Sequence, residues 1–151
     1  MTSQPTYKND TCEELLDLSR ANGQAVVVAT AAFLQEIDVP VEAWTTFLGG
    51  LFARSWDASL ELSAGDFLDA MLTNYRSLGA EVISAALGDV RAEAVIAGFP
   101  KNELCLELGV DCEFAVAYMN VPKTLASSHD LDWQWERDGV RMKLFVTAGQ
   151  Q

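Results

Sequence analysis

The sequence has few basic residues, and this shortage excludes two kinds of partner. Ten Lys and Arg residues stand against 22 Asp and Glu residues, which gives a formal charge of −12. Affinity for nucleic acids depends on basic side chains that release counterions from phosphates, so this balance argues against a nucleic-acid partner. It also argues against binding to an anionic membrane surface. The excess charge favours solubility, and an acidic face that selects a basic partner stays open beside it.

Cysteine is scarce and a long apolar run is missing. Cys12, Cys105 and Cys112 form no CxxC pair and lack the spacing of a zinc site, so we expect reduced thiols. Reduced thiols are typical of the cytoplasm. The longest apolar run, residues 25–34, is too short to cross a bilayer, and the polar first ten residues are unlike a signal peptide. The sequence therefore predicts a cytoplasmic protein without a membrane segment.

Half of the 151 residues are apolar, which is the composition of a globular protein. We expect a flexible tail over residues 1–10 and one domain over residues 11–148. The Gly-Phe-Pro sequence at 98–100 is the candidate seam between a half with long helices and a half with short helices and a hairpin.

The first long helix is predicted to begin at Thr11, which forms a capping box with Glu14. Its apolar pattern continues to Ile37, with a break or kink expected near Gly23. Val26–Val28 would also suit a buried strand, but the flanking alanines and the length favour a helix.

A second helix is predicted to begin at Pro40, where the missing N–H costs nothing. Gly49 and Gly50 interrupt its apolar stripe. Paired glycines allow a neighbouring helix to approach closely, or leave a gap for a ligand between bulky side chains. The stripe consists of Val41, Trp44, Phe47, Leu48, Leu51, Phe52 and Trp56.

The strongest periodic pattern predicts a helix of about seven turns over Ser63–Leu87. Ser63 is the candidate N-cap, and Asp66 in the first turn complements the helix dipole. Gly88 is expected to end the helix.

The second half of the chain begins with a predicted strand over residues 90–96. Short helices are then expected to begin at Pro100, Asp111 and Pro122. Residues 131–147 alternate between apolar and polar side chains around Asp138-Gly139, the typical sequence of a type I′ hairpin turn. With that turn, Glu136 would pair with Arg141.

These elements predict an α+β fold that is mostly helical, with three long helical segments, one short strand and a C-terminal β-hairpin. Three short helices followed by a hairpin also have the order of a winged helix. A DNA-reading winged helix carries Lys and Arg along its third helix and wing. Here Lys123, Arg137, Arg141 and Lys143 lie among acidic residues, so a degenerate winged-helix regulator that contacts protein is the version left open.

One nucleophilic arrangement can be drawn from the sequence. Cys112 follows the predicted cap Asp111, and a thiol at a helix N-terminus can have a lowered pKa. His129, the one histidine, could act as its base. The alternative is a small core cysteine and a solvated histidine. A single histidine with scattered thiols does not make a metal site, and the sequence does not identify a cofactor.

The chain carries more large aromatic side chains than a core of this size needs. They would either fill the core or, in part, line an apolar pocket or an interface with a partner or a second copy. The candidate ligand or partner contacts are Trp44, Phe47, Phe52, Trp56, Tyr75, Trp133 and Trp135.

Two functions therefore remain open at the level of sequence. The first is a non-enzymatic interaction or sensing domain that holds an apolar ligand or a partner helix, with a homodimer left open. The second is a small cytosolic enzyme that uses Cys112 as its nucleophile.

Overall fold

A computed structural model describes residues 10–149 and confirms the α+β fold. The predicted tail, apart from residue 10, lies outside the described residues, and the seam at 98–100 stays a prediction. A 3-10 helix spans Ala117–Asn120 between α5 and α6. The helices are α1 (Cys12–Glu36), α2 (Val41–Ser55), α3 (Ala64–Ser77), α4 (Asn102–Leu108), α5 (Cys112–Val116) and α6 (Pro122–Ser127), and the strands are β1 (Glu81–Leu87), β2 (Arg91–Ala97), β3 (Leu131–Asp138) and β4 (Arg141–Ala148).

The four strands form one antiparallel sheet in the order β1-β2-β4-β3. Alternate residues of β2, β3 and β4 point to one face, where α3 packs against the sheet. That face carries the main core. A smaller core lies between α1 and the α4–α5 corner and includes Val28, Ala31 and Cys105.

Helix α1 is one continuous helix, so the break expected near Gly23 is wrong. The capping box between Thr11 and Glu14 is present, as predicted. A Cβ at Gly23 would lie 3.1 Å from Cδ2 of Leu78. The glycine therefore makes room for a neighbouring side chain instead of interrupting the helix.

Gln24, the residue after Gly23, links α1 to two segments that are distant in the sequence. Its Nε2 donates to the carbonyl oxygens of Leu78, at 2.8 Å, and Gly98, at 3.0 Å. Its Oε1 accepts from the backbone N–H of Lys101 at 2.8 Å. This buried amide thus satisfies three backbone groups that belong to no regular element.

The glycine pair in α2 is explained by a close helix approach at one of its members. A Cβ on Gly49 would lie 2.7 Å from the carbonyl oxygen of Val121 and 3.1 Å from Thr124 Cβ, so only glycine fits there. Gly50 has no neighbour within 4 Å of the same position. The pair does not open a gap between aromatic side chains.

The predicted long helix over Ser63–Leu87 is wrong in its second half. Ser63 and Asp66 form the predicted cap, but α3 ends at Ser77. Gly79 then adopts a φ of +88°, a left-handed conformation that leaves the helix. The residues from Glu81 onwards form β1 and pair along β2, with an irregularity between Val82 and Ser84. A second strand pair therefore precedes the C-terminal hairpin.

The strand predicted over 90–96 is confirmed as β2, and the three short helices are confirmed as α4, α5 and α6. Asp111 caps α5 by accepting the backbone N–H of Glu113 at 3.0 Å.

The C-terminal hairpin is confirmed, but its register and turn differ from the prediction. Asp138 pairs with Arg141 and Glu136 with Lys143, which moves the register by two residues. A two-residue shift keeps every side chain on its predicted face. Within this turn, all of which the structure describes, only Gly139 has a positive φ, +61°. That matches a type II′ turn, in which glycine takes the first central position, and not type I′.

The structure does not show a winged helix. The hairpin is not a separate wing, because β4 pairs with β2 on one side and with β3 on the other.

Candidate functional site

An apolar cleft lies where α2, α3 and the segment from the 3-10 helix to α6 meet. Its volume is about 310 Å³. Aromatic rings from three elements contribute to it, with aliphatic side chains between them. None of its lining side chains carries a charge. They are Phe52, Trp56, Met71, Asn74, Tyr75, Ser77, Leu78, Tyr118, Val121, Pro122 and Leu125.

Tyr75 gives this cleft an unusual polar feature. The side chain is 3% exposed, and its hydroxyl has no hydrogen-bond partner within residues 10–149. Burial raises the pKa of Tyr75 well above its usual value, and the neighbouring Tyr118 raises it further. The hydroxyl is therefore neutral near pH 7 and can donate or accept one hydrogen bond.

Three of the predicted contacts, Phe52, Trp56 and Tyr75, are brought together in this cleft. Trp44 lies elsewhere, in the smaller core, with its ring 5.6 Å from that of Tyr118. Phe47 is 63% exposed on the outside of α2 and does not line the cleft.

Trp133 and Trp135 pack against the core and have internal hydrogen-bond partners. Trp133 is buried and its Nε1 donates to the carbonyl oxygen of Met119 at 2.7 Å. The Nε1 of Trp135 donates to Oδ1 of Asn120 at 2.8 Å. Neither residue lines the cleft.

Cys112 and His129 have separate sets of partners. The thiol of Cys112 donates to Oδ1 of Asn102 at 3.0 Å, and Nη2 of Arg137 lies 3.8 Å from the sulfur. His129 packs edge-on against Trp56 and has its Nδ1 3.2 Å from the carbonyl oxygen of Leu60. The structure gives no contact from which a Cys–His pair could be built.

Sequence reasoning missed the part of the cleft supplied by the short helices. Val121, Pro122 and Leu125 were expected only as a short helical turn, although their apolar spacing was visible. No signal along the chain linked Tyr118 or Met71 to Phe52. Packing of the 3-10 helix and α6 on α2 brings this segment to Phe52.

A larger groove of about 910 Å³ runs between α1, α3, β1 and α4. It is open and carries both signs of charge, with Arg20, Arg76 and Lys101 beside Asp17 and several other acids. Arg20 and Asp17 approach to 3.6 Å. The charges are mixed, so the groove does not favour one class of charged ligand.

The described part of the chain contains no group of three or more His, Cys, Asp or Glu residues placed to hold a metal ion. No helix within residues 10–149 is long and apolar enough to span a membrane. The chain matches no protein-family model, no curated protein and no solved structure. The geometry of the cleft is therefore the main guide to function.

Proposed function

We propose that this protein is a non-enzymatic sensing domain whose cleft holds a small, neutral, mostly apolar molecule with one hydrogen-bonding atom. The observation that carries the proposal is the buried hydroxyl of Tyr75, a residue that lines an apolar cleft; this hydroxyl has no partner among the described residues. The three free cysteines support a cytoplasmic setting for it.

The energetics of the hydroxyl favour a ligand. A buried polar group without a partner costs about 1–3 kcal/mol, and most buried polar groups in folded proteins are paired. A ligand oxygen or nitrogen that pairs with Tyr75 would recover this energy on binding. The hydroxyl would then select among apolar molecules of similar size.

The lining sets the chemistry of the ligand. Aromatic and aliphatic side chains form most of the wall, and the other polar groups belong to Asn74, Ser77, Tyr118 and the indole N–H of Trp56. A charged ligand would find no counter-charge there, so the occupant should be neutral. A volume of about 310 Å³ lies at the lower end of the range for ligand pockets, about 300–1,000 Å³, which indicates a compact molecule.

Two tryptophan substitutions on α3 separate binding in the cleft from binding elsewhere. Asn74 is exposed and lines the cleft, so Asn74→Trp should obstruct it. Thr73, the preceding residue, is also exposed but lines the larger groove instead. Thr73→Trp is therefore a matched control for the effect of a large side chain on the helix.

The test is an NMR titration of the ¹⁵N-labelled protein with two probes of closely similar shape, 2-acetylnaphthalene and 2-isopropenylnaphthalene, in which a CH2 group replaces the carbonyl oxygen. The ketone should bind about five- to tenfold more tightly, because its carbonyl accepts from Tyr75 and such a bond contributes about 1 kcal/mol. Shifts should cluster on α2, α3 and α6. Tyr75→Phe should remove the difference between the probes, Asn74→Trp should abolish binding of both, and Thr73→Trp should bind like the wild type.

Three results would contradict the proposal. They are equal affinity for the two probes in the wild type, shifts that avoid the cleft, and chemical conversion of the ketone during the titration. Concentration-dependent shifts without any probe, centred on exposed Phe47 and Leu51 of α2, would instead assign this face to a homodimer.

A further inference from the structure

A second feature, separate from the cleft, is a pair of thiols where the chain turns between α4 and α5. Cys105 lies in α4 and Cys112 begins α5, with only three residues between the helices. The backbone N–H of Val110 donates to the carbonyl oxygen of Cys105 at 3.0 Å, which turns the chain back on itself. Cys112 packs against the small apolar cluster that contains Cys105, so the turn brings the two cysteines into the same corner of the fold.

The two thiols have different surroundings. Cys105 is 1% exposed in the smaller core. Burial, followed by the hydrogen bond with Cys112, raises the pKa of Cys105 to about 12. Cys112 is half-buried and lies at the edge of that core. The Cys112 side chain is therefore partly open to solvent, while the Cys105 thiol is enclosed and stays protonated.

A cation is fixed beside the reachable sulfur. Nη2 of Arg137 lies 3.8 Å from Sγ of Cys112 and donates to Oδ1 of Asn102 at 3.2 Å. The other end of the guanidinium forms an ion pair with Glu113, and Nε donates to the carbonyl oxygen of Gly139 at 3.1 Å. These partners hold the positive charge of Arg137 beside the Cys112 sulfur.

We propose that Cys105 and Cys112 form a peroxide-reactive dithiol site, in which Cys112 attacks a hydroperoxide and Cys105 closes a reversible internal disulfide. The order of reaction follows from access and from the position of Arg137. Cys12 is exposed at the start of α1 and belongs to no such arrangement among the contacts the structure describes. Because Cys12 also begins a helix, it is an internal reference for an exposed thiol at a helix N-terminus without the Cys105 and Arg137 neighbours.

The proposed chemistry balances in two steps. The Cys112 thiolate attacks one oxygen of the hydroperoxide, the O–O bond breaks, and the leaving alkoxide or hydroxide takes a proton, which leaves a sulfenic acid on Cys112. The sulfur of Cys105 then attacks the Cys112 sulfur, the S–O bond breaks, and water leaves with the proton from Cys105. The peroxide is reduced by two electrons, and the two thiols are oxidised to one disulfide. A dithiol reductant then reduces this disulfide back to two thiols by thiol–disulfide exchange.

The test is intact-mass and peptide analysis after treatment with one equivalent of hydrogen peroxide. The wild type and Cys12→Ser should both lose two hydrogens and, after cleavage at Glu107 by a glutamate-specific protease, yield a peptide pair linked through Cys105 and Cys112. Cys105→Ser should stop at a sulfenic acid on Cys112 that dimedone traps, and Cys112→Ser should yield neither product. Dithiothreitol should restore the original mass of the wild type.

The role of Arg137 is tested by the rate of the same reaction. Arg137→Gln should slow oxidation at least tenfold, whereas Arg141→Gln, on the exposed side of the same hairpin, should leave the rate unchanged. Circular dichroism checks that each variant is folded. Three results would overturn the proposal: cross-linking through Cys12 instead of Cys105, unoxidised Cys112 while Cys12 reacts, or an unchanged rate in folded Arg137→Gln.

Discussion

Single residues decide how the C-terminal hairpin turns. Gly139 has a φ of +61°, and a Cβ there would meet no atom within 4 Å. A substitution at this position therefore tests backbone conformation without a steric clash. The sequence predicts Asp138 and Gly139 as the two central residues of the turn. In the structure the turn lies one residue further along the chain, and its central residues are Gly139 and Val140.

Gly139→Ala should lower the free energy of unfolding by about 1 kcal/mol, because alanine resists positive φ. Gly50→Ala is the control, since Gly50 also has open space around it but lies in a helix. That change should be neutral or stabilise by up to about 1 kcal/mol. Urea unfolding of both variants gives the comparison, and equal effects of the same sign would contradict the role of the turn.

The local signals that were read correctly are also single-residue signals. Thr11 with Glu14 and Ser63 with Asp66 form capping boxes, which need only side chains three residues apart. Trp133 and Trp135 show what signals from single residues cannot predict. Their size suggested ligand contacts, but their indole N–H groups have partners in the 3-10 helix, which the sequence could not place.

At the scale of elements, neighbours outside the segment decide between helix and strand. The apolar spacing over Val82–Leu87 suits a helix and a strand equally well. Pairing with β2 favours the strand, and Gly79 provides the turn that separates it from α3. A one-dimensional pattern does not contain that pairing, which is why the long helix was predicted and is wrong.

The attachment of α1 to the rest of the fold also depends on contacts between elements. Gln24→Ala should lower the free energy of unfolding by about 3 kcal/mol, because three backbone groups lose their hydrogen bonds to this buried side chain. Gln35→Ala is the control, since exposed Gln35 accepts a single bond from the N–H of Asp111 at 3.2 Å. It should cost less than about 1 kcal/mol.

Denaturant unfolding followed by circular dichroism measures both glutamine variants. A loss of similar size in the two would mean that Gln24 does not fasten α1 to the rest of the fold.

For the molecule as a whole, buried acids of high pKa predict a sensitivity to alkaline pH. Burial raises the pKa values of Tyr75 and Tyr118, and that of Cys105 to about 12. The unfolded chain would release these protons near pH 9–10 while the folded chain keeps them. Stability is therefore full below pH 9 and falls as the pH rises above that range.

Melting temperatures measured from pH 8 to pH 11 test this expectation. Tyr75→Phe should reduce the fall of the unfolding free energy with rising pH by up to about 1.4 kcal/mol per pH unit, and the fall of the melting temperature with it. Tyr118→Phe should reduce it less, because Tyr118 is only half-buried. A flat profile, or a slope that Tyr75→Phe leaves unchanged, would contradict the burial of the Tyr75 hydroxyl.

The cleft itself is a property of the whole molecule, and the sequence reached only part of it. Phe52, Trp56 and Tyr75 could be named because they belong to long apolar stripes on α2 and α3. Another part of the wall comes from the segment between the 3-10 helix and α6, which approaches α2 where Gly49 lies against the backbone at Val121. A glycine pair indicates that a neighbouring element packs closely against the helix, but the sequence does not identify that element.

The most direct test of the proposed function is native mass spectrometry of the protein with excess 2-acetylnaphthalene, beside the mass of the denatured chain. We expect a one-to-one complex that disappears on denaturation, persists in Thr73→Trp and is lost in Asn74→Trp, with the ketone recovered unchanged. A bare monomer or a bare dimer at every ketone concentration would contradict a ligand-binding cleft.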